Sequence, residues 1–243
     1  MPEIEIQNLS KSYNLKERVQ VFKNFDFSFN EKITAIFGPN GCGKTTLLKI
    51  IANLIKADEG SVKTSLEKIR MGFVFQSPSN FIFPWMTNYE NLVLPLRLDG
   101  IKEKQIRTRV RELFETFDIS LPMSAYPYQI SGGQQQLLVI LRALINKPNL
   151  LLLDEPFTSL DYLTKIKVMN ELSGIVRKNK TLTILISHTI DEAMVFADEV
   201  VLLSEKPIRV LTKFKTNFKR YDLRVMKSKK FIETKGKILR FYK

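Results

Sequence analysis

The sequence contains one cysteine, Cys42, and one histidine, His188. One cysteine cannot form an internal disulfide, and one residue of each type cannot build a zinc site from cysteine and histidine ligands. No apolar run is long enough to span a bilayer, and the first residues lack the basic start and apolar centre of a signal peptide. These absences favour a cytoplasmic protein over a secreted, zinc-stabilised or integral membrane protein.

Acidic residues are scarce at the carboxyl end of the chain. Residues 204–243 contain 14 Lys and Arg against 3 Asp and Glu, a net charge of +11 out of +13 for the whole chain. Aromatic residues lie among these cations, at Phe214, Phe218, Tyr221, Phe231 and Phe241. This pattern predicts an anionic neighbour, either a lipid surface or a nucleic acid, although a merely solvated basic face remains open.

A glycine-rich stretch at residues 38–46 fits the phosphate-binding motif G-x-x-x-x-G-K-[ST]. A β-branched apolar run precedes it and a helical pattern follows it, which is the context that the motif requires. Glycine at positions 41 and 43 lets backbone N–H groups approach phosphate oxygens closely. Lys44 is expected to contact the β- and γ-phosphates, and Thr45 to bind Mg²⁺. The predicted nucleotide-binding residues of this stretch are Gly38, Pro39, Asn40, Gly41, Cys42, Gly43, Lys44, Thr45 and Thr46.

The order of strand and helix patterns predicts the fold. Alternating runs at 4–9 and 21–29 indicate an antiparallel β layer, and the apolar runs at 149–153, 181–187 and 200–203 alternate with helices. We therefore predict an α/β protein with a P-loop NTPase core, a mixed or parallel sheet, an N-terminal antiparallel β layer and a helical sub-domain insertion. The predicted boundaries are 1–86 and 146–205 for the nucleotide-binding core, 87–145 for the helical sub-domain and 206–243 for a basic extension.

Two acidic residues, Asp154 and Glu155, follow a run of four leucines. A buried parallel strand of this kind would end at the sheet edge where ligands bind. There Asp154 could bind Mg²⁺, and Glu155 could orient a water for attack on the γ-phosphate. Gln76 ends another apolar run and is a further candidate at the same edge.

The segment Ile130-Ser131-Gly132-Gly133-Gln134 resembles the LSGGQ signature of ATP-binding cassette (ABC) proteins. The family's other motifs stand in the expected order: an aromatic A-loop residue at Tyr13, a Q-loop at Gln76, a Walker B motif at 153–156, a D-loop at 159–161 and a switch histidine at His188. The resemblance covers residues 3 to about 210.

The resemblance implies an ATPase whose two copies close head to tail over two ATP molecules. The catalytic residues would be Lys44, Gln76, Glu155 and His188, and the Mg²⁺ ligands Thr45, Gln76 and Asp154. Tyr13 would stack on adenine. The second copy would complete each site with Ser131, Gly132, Gly133 and Gln134, while Asp161 would communicate between the two sites.

Residues 83–92, 154–164 and 188–193 resemble the ATPase subunits of nitrate, sulfonate and taurine importers, with Thr189 departing from the usual Asp. This resemblance implies a subunit on the cytoplasmic face of the membrane that drives a separate permease, fed by a solute-binding protein. Trp85, the single tryptophan, is then either an anchor for the permease or a core residue. A soluble ABC ATPase acting on nucleic acid or the ribosome is the alternative, and only the basic tail favours it.

Overall fold

The computed structural model describes residues 3–14, 17–218 and 221–242. Residues 219, 220 and 243 of the predicted basic extension therefore lie outside the described residues. The chain forms two compact units, Met1–Ile69 with Leu182–Lys243, and Arg70–Thr181.

The first unit begins with the predicted antiparallel layer. Its strands are β1 (Ile4–Asn14), β2 (Arg18–Phe29) and β4 (Glu59–Thr64), arranged in the order β2-β1-β4. Phe25, Phe27 and Phe29 lie on one face of β2 and are all buried, as their alternation predicts. The rings of Phe27 and Phe29 pack edge to face, with centroids 4.7 Å apart.

A second sheet of this unit has the order β7 (Leu182–Ile186), β3 (Ile33–Phe37), β8 (Glu199–Leu203) and β9 (Val210–Lys215). Strand β3 pairs in parallel with β7 and with β8. Strand β9 pairs antiparallel with β8, so the sheet is mixed. Helix α1 (Lys44–Ile51) follows β3, and helix α6 (Ile190–Phe196) follows β7. Strands β7 and β8 are buried along their whole length, which explains their continuous apolar runs.

The chain after β9 forms helices α7 (Leu223–Met226) and α8 (Lys229–Leu239), followed by a short 3₁₀ turn (Arg240–Tyr242). The prediction that the aromatic residues here face an anionic surface is wrong for three of them. Phe218, Tyr221 and Phe231 are buried, and Phe231 packs edge to face on Phe218 with a centroid distance of 5.0 Å. The hydrophobic gain of packing these rings outweighs any gain from exposing them.

The second unit contains the parallel strand pair β5 (Met71–Val74) and β6 (Leu150–Asp154). Its helices are α2 (Asn88–Leu98), α3 (Glu103–Phe117), α4 (Gly132–Ile145) and α5 (Tyr162–Lys178). Gly72 lets β5 lie against α4, because a Cβ at this position would stand 2.4 Å from the Ala143 carbonyl oxygen. Helix α4 buries residues around most of its circumference, which is typical of a central helix.

These elements confirm the predicted α/β class, the antiparallel β layer and the helical character of the middle of the chain. Within the described residues, no helix combines the length and the hydropathy needed to cross a membrane.

Candidate functional site

The predicted phosphate loop lies between β3 and α1. Gly41 and Gly43 have φ angles of 70° and 125°, a region that side chains other than glycine rarely adopt. A Cβ at Gly43 would also stand 2.3 Å from Val21 Cγ1, so this position has room for glycine alone. The backbone around Gly43 is therefore fixed in a conformation that a substitution would disturb.

Lys44 is the first residue of α1 and is only 6% exposed. Its Nζ donates to the carbonyl oxygens of Gly38 at 2.8 Å and Pro39 at 2.9 Å, so the ammonium group is held over the loop. Gly43 is the N-cap of α1 and provides no side-chain cap. The first N–H groups of the helix and its positive dipole end are thus suited to an anion, as the motif predicts.

Cys42 lies in the same loop with its side chain buried. Burial raises the pKa of the Cys42 thiol, and nearby Lys44 lowers it by less. The thiolate is therefore disfavoured, which agrees with a packing role for this side chain.

Tyr13, the predicted adenine-stacking residue, lies near the end of β1 with its ring partly exposed. The Nζ of Lys11 stands 5.6 Å from the ring centroid, and the same Nζ pairs with Asp58 at 2.6 Å. The aromatic face that stacking requires is therefore at the surface of the first unit, beside a cation.

His188 follows β7 in the loop that leads into α6, and its side chain is exposed. Ile36 of β3 is the register partner of Ile186 in β7, so the phosphate loop and His188 leave neighbouring strands at the same edge of the sheet. Thr189, the departure from the family pattern, is the N-cap of α6, and its hydroxyl accepts the N–H of Glu192. The Thr189 hydroxyl can thus cap α6 as the carboxylate of an Asp at this position would.

In the second unit, β6 ends at Asp154, which is buried. Glu155 follows with a left-handed backbone, at φ 52°. Gln76, two residues beyond the end of β5, donates from Nε2 to Glu155 Oε2 at 3.0 Å. The structure therefore brings together two predicted catalytic residues that are 79 positions apart.

The signature segment opens helix α4. Ser131 is its N-cap and forms a capping box with Gln134: the Ser131 Oγ accepts the Gln134 N–H at 3.2 Å, and the Ser131 N–H donates to Gln134 Oε1 at 3.0 Å. A Cβ at Gly133 would meet the Ser159 carbonyl oxygen at 3.2 Å, whereas a Cβ at Gly132 would meet nothing within 4 Å. The start of α4 is thus fixed by its capping box, and the space beside Gly132 is not occupied by other atoms of the chain.

Asp161 is the N-cap of α5, where its side chain accepts the N–H groups of Leu163 and Thr164, each at 3.1 Å. Hydrogen bonds from the Thr164 side chain and then from the backbone hold the pKa of Asp161 below its usual value. The residue therefore has a structural role in its own chain, which its motif did not predict.

The structure also gives a role to Asn91, a residue of the importer-like segment 83–92 for which the resemblance implied none. Asn91 is fully buried and binds the backbone of the loop that carries Trp85: its Oδ1 accepts the Phe83 N–H at 2.8 Å, and its Nδ2 donates to the carbonyls of Phe83, Met86 and Thr87 at 3.0–3.1 Å. Trp85 is 70% exposed, so of its two predicted roles the core role is wrong.

A strand, a glycine loop and a helix that starts at a lysine define a P-loop nucleotide-binding protein. The family model for ABC transporters matches residues 22–158. The aliphatic sulfonates import ATP-binding protein of Bacillus cereus is 38% identical, over 85% of this chain and 83% of its own length. The chain therefore belongs to the ABC transporter family, as its signature segment indicates, and it is an ATP-hydrolysing subunit of that family.

A second relative, the spermidine/putrescine import ATP-binding protein of Pasteurella multocida, is 35% identical over 86% of this chain and 57% of its own length. A solved dimeric bacterial ABC transporter cassette is similar with a TM-score of 0.78 and 29% identity, covering 88% of this chain and 99% of that one. The same cassette in a post-hydrolysis state with ADP and phosphate gives a TM-score of 0.74. These matches confirm the predicted fold and ATPase class.

Proposed function

We propose that the protein hydrolyses ATP to drive the import of a small solute through a separate membrane permease. The observation that carries this proposal is the link from Glu155 through Gln76 to the exposed Trp85 loop. Gln76 is hydrogen-bonded to Glu155, and the segment that follows it leads to Trp85 on a loop held by Asn91. A movement of Glu155 during hydrolysis can thereby be passed to the exposed Trp85 loop, a surface suited to binding a partner protein.

Within this proposal, Lys44 binds the β- and γ-phosphates, Glu155 orients the attacking water and His188 contacts the γ-phosphate. The oxygen donors of Thr45, Gln76 and Asp154 match the preference of Mg²⁺, which would offset phosphate charge when bound. Gln76 uses its amide nitrogen toward Glu155, so its amide oxygen is the atom suited to a cation.

A second copy of the chain completes each site in this proposal. Ser131, the N–H groups of Gly132 and Gly133, and Gln134 stand at the start of a capped helix, which suits them to a γ-phosphate presented by another molecule. The dimeric cassette of similar fold supports a pair of copies, which we propose to be arranged head to tail. Asp161 would then relay changes between the two sites from the start of α5.

The first test is the ATPase activity of Lys44→Ala. Removing the charged donor should abolish hydrolysis and most ATP binding, because Lys44 offsets phosphate charge where it accumulates. Activity of wild-type protein should also depend on added Mg²⁺ and disappear with a chelator. Near-normal turnover of Lys44→Ala would contradict the assignment of the loop.

We propose nitrate, a sulfonate, taurine or a similar small solute as the cargo, because the chain resembles ATPase subunits of such importers. A solute-binding protein would deliver the cargo to the permease, and this subunit would lie on the cytoplasmic face of the membrane. The spermidine/putrescine relative makes a polyamine the competing cargo class. Uptake of each solute by proteoliposomes that contain this chain and a permease that co-purifies with it would decide between the classes.

Trp85→Ser tests the permease surface, with Leu98→Ser as a matched loss of an exposed apolar side chain in the same unit. The affinity for the permease should fall at least 10-fold for Trp85→Ser, since interface tryptophans often contribute about 2 kcal/mol or more. The hydrolysis rate of the isolated subunit should stay unchanged in both variants. Equal permease binding by the two variants would remove Trp85 from the interface.

We further propose that the outward face of α8 contacts anionic lipid. Three exposed cations lie on α8 (Lys229, Lys230 and Lys237) and a fourth, Arg240, is its C-cap; we refer to them together as the α8 cations. Ile232 is also exposed, at 59%. Each cation near an anionic membrane is worth about 1 kcal/mol. Truncation at Ser204 is unsuitable as a test, because it would remove β9 from the sheet.

Replacing the four α8 cations with alanine should therefore abolish salt-sensitive binding to vesicles that contain anionic phospholipid. The matched control replaces four exposed cations at α3, namely Lys102, Lys104, Arg107 and Arg111, and should bind as wild type does. Equal binding by both variants would refute the lipid contact. The comparisons give no support to the nucleic-acid alternative, and recovery of ribosomes without membrane protein in a pull-down would revive it.

A further inference from the structure

Among the described residues, three α-helices begin with a side-chain cap and a Glu or Gln three residues later. In α2, Thr87 accepts the Glu90 N–H and the Glu90 carboxylate accepts the Thr87 N–H at 2.8 Å. Ser131 and Gln134 form the same direct pair in α4. In both helices the side chain three residues after the cap accepts the backbone N–H of the cap residue directly, as a capping box requires.

Helix α6 has the same residue types in a different arrangement. Its cap Thr189 accepts the Glu192 N–H at 3.4 Å, but the Glu192 carboxylate bonds to a third residue, Ser187. Ser187 Oγ donates to Glu192 Oε2 at 2.7 Å and accepts the Thr189 N–H at 3.1 Å. A serine hydroxyl is thus inserted between the cap N–H and the carboxylate that would otherwise accept it.

This inserted hydroxyl belongs to the residue directly before His188, and the capped backbone belongs to the residue directly after it. Ser187 is 1% exposed and Glu192 is 8% exposed, so this network is shielded from water, while the His188 side chain is exposed. A hydroxyl-to-carboxylate bond in such surroundings is short and strong. The main chain on both sides of His188 is therefore fixed by one buried carboxylate.

We propose that Glu192 is a positioning residue for ATP hydrolysis, acting through the Ser187 hydroxyl to fix the main chain that presents His188. This rests on the proposed function, in which His188 contacts the γ-phosphate. Helix α6 alone would need only the direct capping pair seen in α2. The relay through Ser187 adds a constraint on the loop rather than on the helix.

The test compares kcat and KM for ATP in Glu192→Ala and Ser187→Ala with those of Glu90→Ala, which removes the corresponding residue from the direct box of α2. We expect kcat to fall about 10- to 100-fold in the first two variants, because a small misplacement of a reacting group costs that much. KM should change by less than about 3-fold. Glu90→Ala should lower the melting temperature and leave kcat unchanged.

Two further variants separate positioning from general stability. Glu192→Gln retains an acceptor oxygen and Ser187→Thr retains a hydroxyl. The kcat of each should therefore be much closer to the wild-type value than that of the corresponding alanine variant. In a His188→Ala background, Glu192→Ala should have no further effect on kcat, since both changes remove the same contribution. Multiplicative losses in that double variant, or an unchanged kcat in Glu192→Ala, would overturn the proposal.

The single histidine also allows a readout that does not depend on hydrolysis. Tag-free protein labelled with ¹³C-histidine should give one imidazole Cε1–H signal, from His188. Glu192→Ala should shift or broaden this signal and Glu90→Ala should leave it in place. If the signal does not move in Glu192→Ala, the positioning role is refuted, even if the wild-type protein proves inactive. If the signal moves but His188→Ala hydrolyses ATP at the full rate, the role of His188 in the proposed function is refuted, while the structural link from Glu192 to His188 stands.

Discussion

Glu155 combines an unfavourable backbone with a demanding predicted role. Its φ of 52° is a conformation that costs a residue with a side chain of the order of 1–3 kcal/mol. Its contacts include a bond from Thr158 Oγ1, which donates to the Glu155 carbonyl at 2.8 Å, and one from Gln76 Nε2, which donates to the carboxylate at 3.0 Å. The left-handed backbone and the carboxylate bond to Gln76 occur at the same residue, so both are part of how Glu155 is presented.

The sequence predicts residue types better than it predicts their contacts. The spacing of Gly41, Gly43 and Lys44 was sufficient to indicate a phosphate loop, because the motif reflects a backbone requirement. Glu192 lies in the importer-like segment 188–193, but its bond to Ser187 was not predictable, since Ser187 belongs to no motif and the contact depends on how α6 begins after β7. Asn91 also lies in a segment with a recognised resemblance, 83–92, yet its hydrogen bonds to the backbone of the Trp85 loop could not be read from that pattern.

Asp161→Asn tests the capping role of Asp161 through its pH dependence. Because the pKa of Asp161 is lowered in the folded state, its charge stabilises the fold above the unfolded pKa of about 3.9, and this contribution is lost as the pH falls through the lower folded value. Asparagine can still accept the Leu163 and Thr164 N–H groups but carries no charge. The melting temperatures of wild type and variant should therefore differ near neutral pH and converge below about pH 4. A difference that is constant with pH would contradict this cap.

At the scale of elements, the buried strands were the most predictable part of the fold. Residues 149–153 were predicted as a strand buried on both faces, and β6 is buried throughout. The elements after β8 were not predicted, although Val210, Thr212 and Phe214 alternate with exposed residues in β9 and Ser228 caps α8. The high charge of this segment concealed those signals, because lysines surround the few apolar residues that pack.

Helix α4 provides a test in which one methyl group is added where the chain itself has room. Gly132→Ala should fold normally, since a Cβ there meets nothing within 4 Å. If the proposed function is correct, the added methyl would crowd the nucleotide that a second copy presents to this helix start. We expect ATP-dependent dimerisation and hydrolysis to fall at least 10-fold, as a donor of the γ-phosphate site is displaced. Stability should change by less than about 1 kcal/mol.

Gly174→Ala in α5 is the matched control for Gly132→Ala, because a Cβ at Gly174 also meets nothing within 4 Å. This helical glycine lies outside the signature segment. Alanine there should stabilise the fold by about 0.5–1 kcal/mol and leave hydrolysis unchanged. Equal activities of the two variants in a coupled ATPase assay would exclude a trans role for Gly132.

At the scale of the whole molecule, neither compact unit carries every residue predicted for ATP. Lys44, Thr45 and His188 belong to the first unit, whereas Gln76 and Asp154 belong to the second. The net charge of the molecule has a separate origin, since residues 204–243 hold +11 of the +13 in a part of the chain that contributes no predicted ATP ligand.

Glu155→Gln tests the complete mechanism, including the second copy. Glutamine has nearly the same shape and its amide oxygen can still accept the bond from Gln76, so nucleotide binding should remain. Hydrolysis should fall by roughly 10²–10⁴-fold, because the group that accepts the proton from water is lost. Unhydrolysed ATP should then hold two copies together. Light scattering behind a sizing column should show a dimer with Mg-ATP and a monomer without it.

Ser131→Arg, added to Glu155→Gln, asks whether that dimer uses the signature segment. Ser131 caps α4 at the point where the γ-phosphate of the other copy is expected, so a bulky cation there should block closure and leave a monomer at saturating Mg-ATP. Circular dichroism must first show that α4 survives loss of the cap, which costs about 1 kcal/mol. A double variant that still dimerises would place the interface elsewhere.

If Glu155→Gln alone hydrolysed ATP at the wild-type rate, Glu155 would not be the base.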